Sequence, residues 1–357
     1  MKRLKTTAFP MLMIVFLSAQ ASYAAAASAQ SRQLSHDFYL TTVDAKSSRN
    51  LNQPLSIPWN GSRADCEANF RRAVCETTAT TDDITQDYDS VTCSTDGSQY
   101  VAKLMAIYDE TPDKMRSSLC TLNRIFISDA ITSIAFASAL TDRFGNNIGG
   151  YVGMRKQTYV GEPTAHEIVS WKEQLAFGGS KNFLSNDPKL VQLTYDLKMS
   201  TLKSDGIFYV LMHELGHLID FKNEVNSRWG SDTNWSVLSW ASFSGRPLSS
   251  ATFYLRDDFC FYNCSGHLDP KDAKAIYTSL QKSGFVSTYA ASNAYEDFAE
   301  FWVWHLARLY KSPHYTIEVP GEAVFEMDSI FTDNQLIKSK LEFIDRLWNS
   351  PALKVAN

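Results

Sequence analysis

Cysteine is scarce in this chain, and no two cysteines stand at the C-x-x-C spacing of zinc ribbons and thiol oxidoreductases. That argues against a cysteine-held metal cluster. Positive charge is also in short supply: 34 Lys and Arg face 39 Asp and Glu, a formal charge of -5. An acidic balance argues against nucleic acid as a partner, since phosphate backbones select basic faces. Beyond the first two dozen residues no apolar run is long enough to cross a bilayer, so no transmembrane anchor is predicted. No internal repeat appears either.

What is present begins with the N-terminus. Lys2, Arg3 and Lys5 precede a mostly apolar run from Ala8 to Ser18, and small residues follow. This is the layout of a secretory signal peptide over residues 1–24, which places the mature protein outside the cytoplasm, either secreted or periplasmic. Its removal takes away three cations and no acid, moving the charge from -5 to -8. In an exported chain the six cysteines are expected as disulfides. Two bridges among Cys66, Cys75, Cys93 and Cys120, in any of three connectivities, and a local Cys260–Cys264 bridge would use them all.

Residues 25–97 are rich in Ser, Thr and Asp and read as a loop-rich, disulfide-tied region; residues 98–357 read as the main domain. Helical spacing predicts helices at "QYVAKLMAIYDE", "DPKLVQLTYDLKMSTL" and "NQLIKSKLEFIDRLW". Another opens at "TPDKMRSSL", with Thr111 as N-cap and Pro112 in the first helical position. "LNRIFIS", "SIAFASAL" and "NIGGYVGM" read as strands of a twisted sheet. The fold class is therefore α+β. The long segment after residue 226 holds three tryptophans and many other aromatics, and is expected as a packed surface insert that could border a cleft.

Chemistry concentrates in "GIFYVLMHELGHLIDF", a helix from about Asp205 to Phe221 that is apolar nearly all round and so belongs in a core. Four residues of helix advance the chain about 400°, so His213 and His217 point the same way, roughly 6 Å apart. Two neutral imidazoles at that spacing can share one Zn2+. Glu214, about 100° round from His213, can take a proton from an attacking water without itself ligating. A catalytic zinc needs a third protein ligand and one open position. The HExxHxxGxxH extension fails, because Asp220 stands where its glycine belongs and Asn223 where its histidine belongs. Asp220 is left as an outer partner of the site or a helix-surface charge, and His267 and His305 have no companion at ligand spacing.

The remaining candidate is "STYAASNAYEDFAEFWVWH". Glu296 and Glu300 lie one helical turn apart on an otherwise apolar helix, where unpaired carboxylates would be costly. One can bind the metal while the other accepts the spare N–H of a ligating histidine.

HExxH followed at a distance by a ligand glutamate resembles the gluzincin pattern. "TYAASNAYEDFAE" is similar to the third-ligand segment of metallopeptidases of the anthrax lethal factor type. In that family a tyrosine precedes the ligand glutamate by seven residues and an asparagine by three, and an acid follows it by four. Tyr289, Asn293, Glu296 and Glu300 occupy those positions here. The resemblance implies a zincin-like fold, His213, His217 and Glu296 as zinc ligands, Glu214 as general base, and Glu300 behind a ligand. It also implies Tyr289 as a phenol donor to the developing oxyanion, and a peptide or protein substrate. The expected activity is that of a zinc metallopeptidase. The alternative is a secreted binding protein whose zinc is structural or whose site is inactive. A substrate strand is expected to pair with a free edge of Ile148–Met154, where Gly149, Gly150 and Gly153 would admit a second backbone.

Overall fold

The computed structural model describes residues 39–42, 58–94, 97–142, 144–180, 183, 192–196, 205–227, 232–241, 246–259, 261, 266–311 and 313–355. The expected signal peptide and the expected Cys260–Cys264 bridge lie outside the described residues. The protein is a mixed α+β fold. Its main sheet contains β1 (Tyr39–Thr42), β2 (Val74–Glu76), β3 (Arg124–Ser128), β4 (Ala135–Thr141) and β5 (Asn147–Arg155), in the order β1-β4-β5-β3-β2. The β4–β5 pairing is antiparallel and the other three are parallel. A second, antiparallel sheet joins β6 (Gln192–Asp196), β7 (His314–Val319) and β8 (Ala323–Glu326).

The longer helices are α1 (Arg63–Ala73), α2 (Ser98–Glu110), α3 (Asp113–Cys120), α4 (Ala165–Ala176), α5 (Gly206–Asn223), α6 (Ala273–Leu280), α7 (Ala294–Tyr310) and α8 (Gln335–Asn349). Every residue of α5 from Gly206 to Phe221 is buried, as its all-round apolar surface requires. It lies between the main sheet and α7. A Cβ at Gly216 would stand 3.3 Å from Ala299 Cα, so the glycine of HELGH lets α5 and α7 approach closely. Among the described residues no helix is long and apolar enough to cross a membrane.

The described part of the disulfide-tied residues 25–97 carries regular elements as well as loops. β1 and β2 form the two edges of the main sheet, so a division at residue 97 would cut through it. Strands of four and three residues are too short to show a readable alternation. Cys66–Cys120 ties α1 to α3 across that division, and Cys75–Cys93 anchors β2. The first closes a 54-residue separation, for which chain entropy gives about 4 kcal/mol. Denaturant unfolding of a Cys66→Ser/Cys120→Ser protein should show a loss of about that size, with the far-UV signal of the folded molecules unchanged.

Two local expectations also change. Residues 192–196, expected as part of a helix, form β6 against β7. Gln-Leu-Thr-Tyr-Asp satisfies a strand pattern as well, and a pairing partner 120 residues downstream outweighs local propensity. Pro112 rather than Thr111 occupies the N-cap of α3, because the Thr111 hydroxyl donates back to the Ile107 carbonyl at 2.7 Å and closes α2.

The aromatic insert is packed inward. Trp235 is fully buried against Phe298 and Phe301 of α7, and Trp240 Nε1 donates to Asp297 Oδ2 at 3.1 Å. The same carboxylate accepts from Lys340 of α8, whose ammonium is fully buried and lies 5.3 Å from the ring centres of both Trp235 and Phe301. One ion pair therefore locks insert, α7 and α8 together.

Candidate metal centre

One helical turn of α5 brings the rings of His213 and His217 to 4.9 Å between centroids, at 85° to one another. Glu296 reaches them from the first turn of α7. That turn starts where it does because Asn293 caps it: its Oδ1 accepts the backbone N–H groups of Tyr295 and Glu296, both at 2.9 Å. Glu296 Oε2 then stands 3.0 Å from His213 Nε2 and 3.6 Å from His217 Nε2.

His213, His217 and Glu296 are buried, and each offers a ligand atom within 4.8 Å of the others. Tetrahedral ligands with zinc-length bonds lie about 3.3 Å apart, a value between the two measured separations. Glu296 Oε2 is buried without a hydrogen-bond partner, which is costly for a carboxylate and is what a shared cation would relieve. Burial opposes its ionisation, yet the charges of His217 and His213 hold the carboxyl well below the usual range. Burial and the Lys172 charge work against a proton on His213. The carboxylates of Glu296 and Glu300 nevertheless raise its imidazole to about 9. The cluster thus attracts positive charge strongly, and the three groups fit a divalent metal ion.

Glu300 sits behind His213, with Oε1 3.0 Å from Nδ1. It is held from three sides: Lys172 of α4 pairs with Oε1, the Tyr209 hydroxyl donates to Oε1 at 2.9 Å, and the Ser287 hydroxyl donates to Oε2 at 3.1 Å. Burial disfavours the Glu300 carboxylate, but Lys172 and His213 bring its pKa down to about 2. A ring nitrogen facing a fixed carboxylate presents the other nitrogen to the metal in a defined direction.

Asp220, left open between an outer partner of the site and a helix-surface charge, is not on the surface. It is fully buried and accepts from the Asn226 backbone at 2.6 Å and side chain at 2.7 Å; Asn226 Nδ2 also donates to the Ala294 carbonyl at 3.0 Å. Burial pushes its pKa up to about 7, with the Asn226 contacts and the His217 charge opposing. Asp220 therefore ties the end of α5 to the start of α7. His305, 3.5 Å from Asp345 and packed on Trp302 and Trp348, is structural. His267 lies against Gly178, on the loop after α4.

A cleft of about 470 Å³ opens onto His213 and Glu214, with Tyr289, Lys172, Phe261 and Trp171 among its walls. Phe261 brings the insert to this cleft. Burial raises the Glu214 carboxyl, while His213, His217 and Lys172 lower it. Tyr289 is half-buried, its ring centre 6.1 Å from that of His213 and 5.0 Å from that of Phe261.

The expected free edge at Ile148–Met154 does not exist, because β5 is paired on both sides, by β3 and β4. Its glycines admit the protein's own side chains. A Cβ at Gly149 would meet the Asn123 amide at 2.1 Å, one at Gly150 the Leu218 side chain at 2.9 Å, and one at Gly153 the Phe136 ring at 2.1 Å. The backbone that borders the cleft is instead Thr132–Ala135, leading into β4.

The sequence reading missed Tyr209, Lys172, Ser287, Glu173 and Asn226. Tyr209 was within reach, since it stands four residues before His213 on the same helical stripe. Lys172 also left a trace, lying four residues after Ile168 on the buried face of α4. Glu173 gave no signal. Its buried carboxylate accepts from Tyr277 and from both the backbone and hydroxyl of Thr288, which fixes the segment leading to Tyr289.

Comparison of the chain with protein-family models, with curated proteins and with solved structures returns no match.

Proposed function

We propose that this chain is an exported zinc metallopeptidase of zincin-like fold, similar to the gluzincins. The observation that carries the proposal is the convergence of His213, His217 and Glu296 beside an open cleft that also receives Glu214. A structural zinc site is closed, whereas a catalytic one keeps a position facing substrate. The alternative of a binding protein with a structural zinc has no use for a buried acid at the mouth of that cleft.

Zinc bound by the three ligands supplies Lewis acidity, which acidifies water and polarises a substrate carbonyl. The protein's own groups do the rest. Glu214 takes the proton from the attacking water and returns it to the leaving amine. Tyr289, on the cleft wall, donates its phenol O–H toward the developing oxyanion. Glu300 fixes the His213 ring. An extended substrate lies along Thr132–Ala135, in place of the β5 edge. The proposed export rests on the N-terminal layout and is supported by the two disulfides, which persist in oxidising compartments.

The test is metal analysis of the purified protein together with digestion of a broad peptide library, with and without a chelator. One zinc per chain is expected, with hydrolysis abolished by the chelator and restored by added Zn2+. Hydrolysis that survives complete metal removal would overturn the proposal, as would a protein that takes up no zinc.

A further inference from the structure

We propose that Lys172 is a positioning residue for the metal centre, a single buried ammonium that clamps the Glu300 carboxylate behind His213 and the Tyr289 ring at the cleft wall. This rests on the metallopeptidase reading of the site and adds a component that no ligand motif contains.

Lys172 is 9% exposed and comes from α4, a different element from those carrying the ligands. Its Nζ pairs with Glu300 Oε1, lies 3.5 Å from the Tyr209 hydroxyl, and stands 4.1 Å from the centre of the Tyr289 ring. A cation at that distance over an aromatic face is held by the ring's quadrupole. Glu300 in turn faces His213 Nδ1 at 3.0 Å. The ammonium therefore touches, in one place, the group that aims a ligand and the residue proposed to meet the oxyanion. Its neighbour Glu173 anchors Thr288, so adjacent residues of α4 hold the adjacent residues Thr288 and Tyr289.

A buried ion pair with a merely structural role would affect unfolding and leave the folded molecules alike. A positioning role predicts more. Lys172→Met keeps the length of the side chain and removes its charge. Loss of an outer partner typically costs 10–100-fold in metal affinity or activity. Lys172→Met should weaken zinc binding about tenfold in competition with a chromophoric chelator, and lower kcat of the zinc-saturated enzyme while KM changes by less than about twofold.

Glu300→Gln should weaken zinc binding by a similar factor. Because Lys172 acts on His213 through Glu300, the Lys172→Met/Glu300→Gln protein should bind zinc no worse than the weaker single variant. This double variant also removes both halves of the ion pair, so a folded protein is retained if Lys172→Met alone leaves Glu300 uncompensated and unfolds. Losses that multiply in the double variant, or a Lys172→Met protein with wild-type zinc affinity and kcat, would overturn the assignment. Zinc binding is read without any substrate, so a wild-type protein that binds zinc but cleaves nothing sinks the peptidase reading and leaves the zinc arm of this test decisive.

Discussion

Glu214→Gln is expected to retain one zinc per chain and to lose peptide hydrolysis by roughly 100- to 10,000-fold, the usual worth of a general acid–base group. Glutamine has nearly the same shape and cannot accept the proton of the attacking water. The substitution should not disturb the fold. Glu214 is buried, burial raises its pKa, and a neutral amide is cheaper to bury than a carboxylate. The melting temperature should therefore hold or rise. That combination separates loss of chemistry from loss of structure. Zinc content and kcat/KM measured on the same preparation decide it, and full activity in the variant would mean that another group moves the proton.

The clearest parts of the molecule in the sequence were those fixed by local periodicity. The body of α5 is apolar at nearly every position, so both its helical character and its burial could be read directly. The carboxylates of α7 stood out because Phe298, Phe301 and Trp302 surround them, and a core does not take unpaired charge. What remained hidden depended on distant partners. Consecutive strands usually neighbour one another, which would put β5 at the sheet edge. Instead β5 enters between β3 and β4, with Gly153 under the Phe136 ring and Gly150 against Leu218 of α5. β6 was misread for the same reason, since its strand state is supplied by β7. Lys172 illustrates a different limit. A lysine on a helix is ordinarily solvated, and nothing in the neighbouring residues reveals that Glu300, 128 positions later, will meet it.

Glu296→Ala should weaken zinc binding by more than the 10–100-fold typical of an outer partner, because it removes one of three direct ligands. Asp220→Ala, three residues beyond His217 on the same helix, should behave oppositely. Its carboxylate serves Asn226, so the variant leaves a buried backbone N–H and a side-chain amide short of an acceptor. Each such group costs about 1–3 kcal/mol, partly offset by relief from burying a carboxylate whose pKa stands at about 7. A net destabilisation of about 2 kcal/mol is expected, with zinc affinity changed far less than in Glu296→Ala. The two variants thus exchange symptoms: one folds normally and loses metal, the other keeps metal and melts earlier. Zinc titration and denaturant unfolding of both proteins provide the measurement. Equal zinc losses would mean that the joint between α5 and α7 through Asn226 and Ala294, and not the Glu296 carboxylate itself, sets the affinity of the centre.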